Sequence, residues 1–220
     1  MAEKFIVVTA DIIDSKKNLK NMELISTSIE KLNTLFKNDL AAYFKIYRGD
    51  EVQCVLLPTE NVMKIVRNFR YALKPYEVRI GIGKGEIDNN LELYNNKLKN
   101  VNPWENNGQA FYSARESLNH LTNNRSLNKK PRTYFLNKLD DKDANNLTIN
   151  SLLNLYDIVL ESWKLSQWDS ILAYEQYKSL EAAAKNVNKS YQSIQRSVSK
   201  ACWDEVKLCE EQINYLICNH

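Results

Sequence analysis

Asp11, Asp50 and Glu51 are the residues of this 220-residue chain best suited to metal chemistry. Mg²⁺ prefers hard oxygen ligands and keeps several waters, so two or three carboxylates suffice to hold it. A pair of such ions can stabilise the attacking and leaving oxygens of an in-line displacement at phosphorus. Phosphate charge would call for cations, and Lys45, Arg48, Lys84 and Arg115 are candidates. The basic segment 122–138 adds Arg125, Lys129, Lys130, Arg132 and Lys138 without an acid. Plainer roles are open to each residue: Asp11 and Asp14 as caps of the following turn, Asp50-Glu51 as a solvated hairpin tip, Arg115 as a structural ion pair.

A second constellation lies in residues 179–203, SLEAAAKNVNKSYQSIQRSVSKACW. It fits two short helices crossing at small side chains, Ala183 and Ala184. The turn between them needs a residue that tolerates left-handed backbone, and Asn188 stands there. Ser190 then caps the second helix. Ile194, Val198 and Ala201 repeat at helix spacing and face inward, leaving Gln192, Gln195, Arg196 and Ser199 on the outer face. Amides suit adenine, and a guanidinium suits guanine or phosphate, in a major groove. From Lys185 to Trp203 there are basic residues and no acidic one, so Lys185, Lys189 and Lys200 are expected at phosphates. The alternative is a helical hairpin used only for packing or for a protein partner. Lys189, at a turn position that is usually apolar, favours that alternative.

The elements that must position these residues follow from periodicity. Phe5-Ile6-Val7-Val8 reads as a buried strand ending at Asp11. Residues 20–38 read as a helix with Ile25, Ile29, Leu32 and Phe36 on one face. Strands from Tyr43 to Tyr47 and Val52 to Leu57 follow, joined through Arg48-Gly49-Asp50-Glu51. A helix over 60–73 turns Val62, Ile65, Val66 and Phe69 inward, and Glu77 to Gly83 forms a fourth strand. GIGKGEI lacks the spacing of a phosphate loop, and its glycines are expected to permit close backbone approach. The order β-α-β-β-α-β is the ferredoxin-like arrangement. In that topology the hairpin turn and the end of the first strand share one end of the sheet, so Asp11 and Asp50-Glu51 are expected to converge. Asp140 to Asn146 reads as a linker. Helices are expected over 149–163, near 167–177 and over 204–217, the last serving either dimerisation or packing.

Four segments, VTADIIDS at 8–15, GDEVQ at 49–53, GIGKGEI at 81–87 and NGQAFYSAR at 107–115, together resemble the SatD family. More distantly, an aspartate ending the first strand and a Gly-Asp-Glu hairpin are similar to nucleotidyl cyclases and GGDEF domains. The family usually has Asp-Gly-Pro-Ala where this chain has Asn107-Gly108-Gln109-Ala110, which removes a carboxylate. Val52 stands where phenylalanine is usual. The resemblance implies the Ile12 carbonyl as a further metal ligand beside Asp11, Asp50 and Glu51. A nucleotide there would meet Arg48, Lys84 and Arg115.

The expected fold class is α+β: a ferredoxin-like βαββαβ core of nucleotidyl-cyclase type over 1–139, then an all-α helix-turn-helix domain over 140–220. The net charge of +3 does not by itself imply nucleic acid. Cys54, Cys202, Cys209 and Cys218 form no CxxC pair, which argues against structural zinc and for a reducing compartment. The N-terminal apolar run is too short for a signal peptide, and no stretch approaches a membrane span. These features lead to the expectation of a cytoplasmic regulator that binds double-stranded DNA. Its cyclase-like domain would bind a nucleotide or Mg²⁺, or organise a homodimer. The alternatives are a Mg²⁺-dependent nucleotidyl cyclase or oligonucleotide synthase targeted by the helix-turn-helix, and an adaptor that binds only protein.

Overall fold

A computed structural model describes residues 4–13, 22–47, 50–88, 103–123, 131–138 and 144–219. Its centre is β1 (Phe5–Ile12), whose β-branched run is buried on both faces, as expected of an interior strand. The next elements are α1 (Met22–Leu35), β2 (Leu40–Tyr47), β3 (Glu51–Leu56), α2 (Val62–Ala72) and β4 (Val78–Gly85). A 3₁₀ turn at Pro103–Glu105 precedes α3 (Gln109–Asn123) and β5 (Thr133–Asn137). Five helices close the chain: α4 (Ala144–Ser162), α5 (Leu165–Tyr177), α6 (Leu180–Asn186), α7 (Tyr191–Lys200) and α8 (Trp203–Asn219). Among the described residues no helix is long and apolar enough to cross a membrane.

The five strands form one mixed sheet in the order β2-β3-β1-β4-β5. β1 is antiparallel to β3 and to β4, whereas β5 joins β4 in parallel. One sheet face, carrying Phe5, Val7 and Val55, is covered by Ala110, Phe111 and Ala114 of α3. Here α3 lies so close that a Cβ on Gly83 would stand 2.2 Å from the Ala114 nitrogen, and one on Gly81 2.3 Å from the Ala114 oxygen. The close approach expected of GIGKGEI is therefore that of a helix crossing β4. On the other face, Ile6, Val8, Ala10 and Ile12 share a single cluster with α1, α2, α4 and α8. A boundary at 139/140 thus does not divide the core.

Two segments differ from their sequence reading. Thr133 to Asn137, in the segment read only as basic, is the edge strand β5. The expected linker ending at Asn146 is already helical from Ala144, and 139–143 lies outside the described residues. Both differences have one cause. The Asn146 amide accepts from the Asn137 N–H at 3.0 Å and donates to its carbonyl at 3.1 Å. Asn150 does the same for Phe135, at 2.8 Å each way. Four helical residues rise about 6.0 Å, and two strand residues about 6.6 Å. Asparagines at i and i+4 can therefore track alternate residues of a strand edge. Asp157 extends the ladder, accepting from the backbone N–H groups of Arg132 and Thr133 at 2.8 and 2.7 Å.

Candidate functional site

The β1–β3 register sets Asp11 opposite Glu51, and the Ile12 N–H donates to the Asp50 carbonyl at 3.0 Å. The two expected metal-ligand segments are therefore neighbours at one end of the sheet. Directly opposed residues project to the same face, with Cβ atoms about 4.5–5.5 Å apart. Arg79 lies opposite Asp11 on the other flank. Its Nε donates to both Asp11 carboxylate oxygens, at 3.0 and 3.1 Å, and its Nη2 to Oδ2. This end of the sheet thus carries the row Glu51–Asp11–Arg79, with a cation already seated on the central carboxylate.

One row inward, buried Gln53 and Thr9 face each other, and Gln53 donates to the Pro103 carbonyl at 3.0 Å. Trp104 stacks on Tyr47 at 4.8 Å, and the Arg115 guanidinium sits 5.4 Å over the Trp104 ring. Arg115 thereby stands near the β2–β3 hairpin. Lys84 is elsewhere: it pairs in register with Ile6, five residues along β1 from Asp11. Its buried ammonium donates to the carbonyls of Ile217 at 2.6 Å and Cys218 at 3.1 Å, at the C-terminus of α8, where a cation complements the helix dipole. Arg48, Asp14, Arg125, Lys129 and Lys130 lie outside the described residues. Arg132 is ion-paired with Glu77 and Glu161, and Lys138 with Glu116.

Among the described residues no three His, Cys, Asp or Glu side chains gather closely enough to hold a metal ion. Asp11 is committed to Arg79 as well. The described donor set does not fit a resident Mg²⁺, and no reaction step is derived through one.

The second constellation is compact. Ala183 and Ala184 of α6 are buried against Ala173 of α5 and Ile194 of α7. Asn188 has φ 53°, in the left-handed region that asparagine tolerates best after glycine. Ser190 is the N-cap of α7, its Oγ accepting from the Ser193 N–H at 3.2 Å. Ile194 and Ala201 are buried and Val198 half-buried, while Gln192, Gln195, Arg196, Ser199 and Lys200 are exposed on α7, as is Lys185 on α6. Lys189 departs from the pattern: its ammonium donates to the Ser166 carbonyl at 2.9 Å and to Ser170 Oγ at 3.1 Å. Its apolar stem occupies the usually apolar turn position, and its charged end ties the turn to α5.

Sequence reasoning overlooked the charged seam between α2 and the C-terminal helices. Fully buried Arg67 donates through Nε to Glu210 at 2.7 Å and through Nη2 to Glu175 at 2.9 Å. Its guanidinium lies 4.7 Å over the Trp203 ring. Burial opposes the Arg67 charge, but its carboxylate partners, Glu210 first and then Glu175, hold the guanidinium protonated. Tyr156 donates to Glu210 at 2.6 Å; burial, then the Glu210 charge, push its hydroxyl pKa well up. Arg70 pairs with Asp157, and Tyr71 donates to Asp169 at 2.6 Å. A signal for these was present. Glu210 sits within the stripe Val206, Ile213, Ile217, and Asp157 within Leu153, Leu160, both at helix spacing. An acid in an apolar stripe implies a buried cation facing it.

Fold and sites define an α+β protein with a five-stranded mixed sheet and, among the described residues, eight α-helices. The chain belongs to the SatD family, whose model matches residues 5–204. No curated protein matches it in sequence.

Proposed function

We propose that this protein binds double-stranded DNA through α7, with α6–α7 acting as a helix-turn-helix and α5 as its supporting helix. The observation that carries this reading is the exposed face of α7. Gln192, Gln195, Arg196 and Ser199 stand outward on a helix whose inner face, capped start and left-handed preceding turn are all accounted for. In such a motif the second helix enters the major groove. Lys185 and Lys200 are available for phosphates, whereas Lys189 is engaged with α5.

A mobility-shift titration across salt concentrations tests this. Arg196→Ala should cost roughly 1–3 kcal/mol on a specific site and relax its sequence preference, as loss of a bidentate base contact requires. Lys185→Ala should weaken all sequences alike and reduce the salt slope by about one unit. Absence of salt-sensitive DNA binding by the full chain would leave the protein-only adaptor as the reading.

A second reading is favoured by the Asp11–Glu51 register. The β-α-β-β-α-β order and the strand order β2-β3-β1-β4 support a ferredoxin-like core of nucleotidyl-cyclase type. In that reading the Asp11 end binds a nucleotide, or helps organise a homodimer. If it turns nucleotides over, protein with ATP or GTP and Mg²⁺ should release pyrophosphate, and Asp50→Asn should abolish the release. Binding without turnover would support a sensor.

A further inference from the structure

A groove of about 740 Å³ runs between α1, α2 and α5, bordering the charged seam at Glu175. Its volume lies within the range of small-molecule sites, roughly 300–1,000 Å³. The apolar lining comes from all three helices: Leu32 and Leu35 of α1, Ala72 of α2, and Leu165 and Leu172 of α5. Leu35 is 63% exposed and Leu165 59% exposed. A single exposed leucine is ordinary, but two from different helices converging on one concavity mark an apolar surface that a ligand can cover.

The charges of the groove are one-sided. Lys31, Lys64, Lys74 and Lys178 line it, and Glu175 is its one acid among the lining residues. Glu175 is already neutralised, by Arg67 at 2.9 Å and Lys64 at 3.7 Å. Lys74 lies 5.9 Å from the Trp168 ring centre, and burial lowers its pKa, so an anion beside it would restore what desolvation removes.

We infer that this groove binds a soluble amphipathic anion, an apolar body of acyl-chain type bearing one carboxylate, with the chain against the leucines and the carboxylate among the lysines. Because α5 forms one wall and also packs against α6 and α7, occupancy sets the position of the helix that supports α7. The regulatory part rests on the DNA-binding reading; the binding part does not.

Calorimetry with dodecanoate, below its micellar concentration, tests the site on the full chain. Saturable binding to one site is expected, at least tenfold tighter than dodecyltrimethylammonium. Ala72→Trp should abolish it by filling the groove. Lys31→Glu and Lys178→Glu, both on the exposed rim, should each weaken it severalfold; Lys31→Glu should do so with the thermal unfolding midpoint unchanged, which keeps the test valid if Ala72→Trp folds poorly. No saturable binding, equal binding of the cationic amphiphile, or binding untouched by both lysine reversals would overturn the assignment. In a mobility-shift titration, saturating dodecanoate should then change the DNA half-saturation point at least threefold. Binding with no such change overturns the regulatory part. Absence of DNA binding with and without dodecanoate counts against the DNA reading alone, because calorimetry decides the groove.

Discussion

Glu175 touches three features at once: it accepts from Arg67 of the buried seam, pairs with Lys64, and lines the groove on α5. Burial raises its pKa, but Arg67, directly bonded, together with Lys64 and Lys178 outweighs burial and holds it below its ordinary value of 4.5. A carboxylate depressed in the folded state contributes stability that is complete above its unfolded pKa. That stability is lost as pH falls through the folded one. The unfolding midpoint in urea should therefore fall below about pH 5, and Glu175→Gln should make the acid limb shallower while lowering the plateau at pH 7. Parallel acid limbs for both proteins would show that Glu175 carries no such linkage. Lys189 illustrates a different lesson. Its composition suggested a phosphate contact, but its ammonium is spent on Ser166 and Ser170. Charge along a sequence shows where cations are, not which already have partners.

Among the elements, α3 and β4 make the most demanding contact. Gly81 and Gly83 allow the helix backbone to rest on the strand, and the nearest atoms to an added Cβ are backbone atoms that cannot step aside. Gly83→Ala should cost about 3 kcal/mol or more, at the upper end of overpacking penalties, read as a drop in urea midpoint. A near-neutral result would mean that α3 can lift from the sheet. The elements that sequence periodicity located well were those with one apolar face or a β-branched run: β1, α1, α2, α7. Asn188 and Ser190 were legible because backbone geometry restricts what can stand there. β5 was not legible. Its five residues are bordered by basic and asparagine-rich sequence, and its pairing depends on Asn146 and Asn150, whose side chains replace a neighbouring strand from a helix. Asparagine in a polar stretch looks like loop until the strand it serves is known. At the Asp11 end, strand order predicted the meeting with Glu51, but the Arg79 ion pair depends on β4 register, which periodicity does not supply.

For the whole molecule, the charged seam decides how sheet and C-terminal helices hold together. Arg67 and Glu210, both buried, belong to α2 and α8, 143 residues apart in the chain. Removing one partner of a buried pair leaves an uncompensated charge, which costs about 3–5 kcal/mol. Glu210→Leu should destabilise by about that amount, and adding Arg67→Met should recover part of it, because the uncompensated guanidinium is removed while Tyr156 and Glu175 still lose a partner. Equal destabilisation in the single and double variants would place the cost in packing instead. Unfolding should be one cooperative transition by fluorescence and by far-ultraviolet dichroism, since one core cluster spans both parts.

The asparagine ladder on β5 bears on inheritance and on synthesis. A ribosome that has released the sheet but not α4 holds a β5 with an unclaimed rim, available to any strand nearby. The first half of such a gene cannot be spliced onto a new partner without α4, nor can the tail be borrowed alone, because its asparagines would face water with nothing to grip. Recombination at residue 140 would yield two pieces that each need the other. The protein is thus expected to travel through evolution as one indivisible cassette and not by exchange of halves.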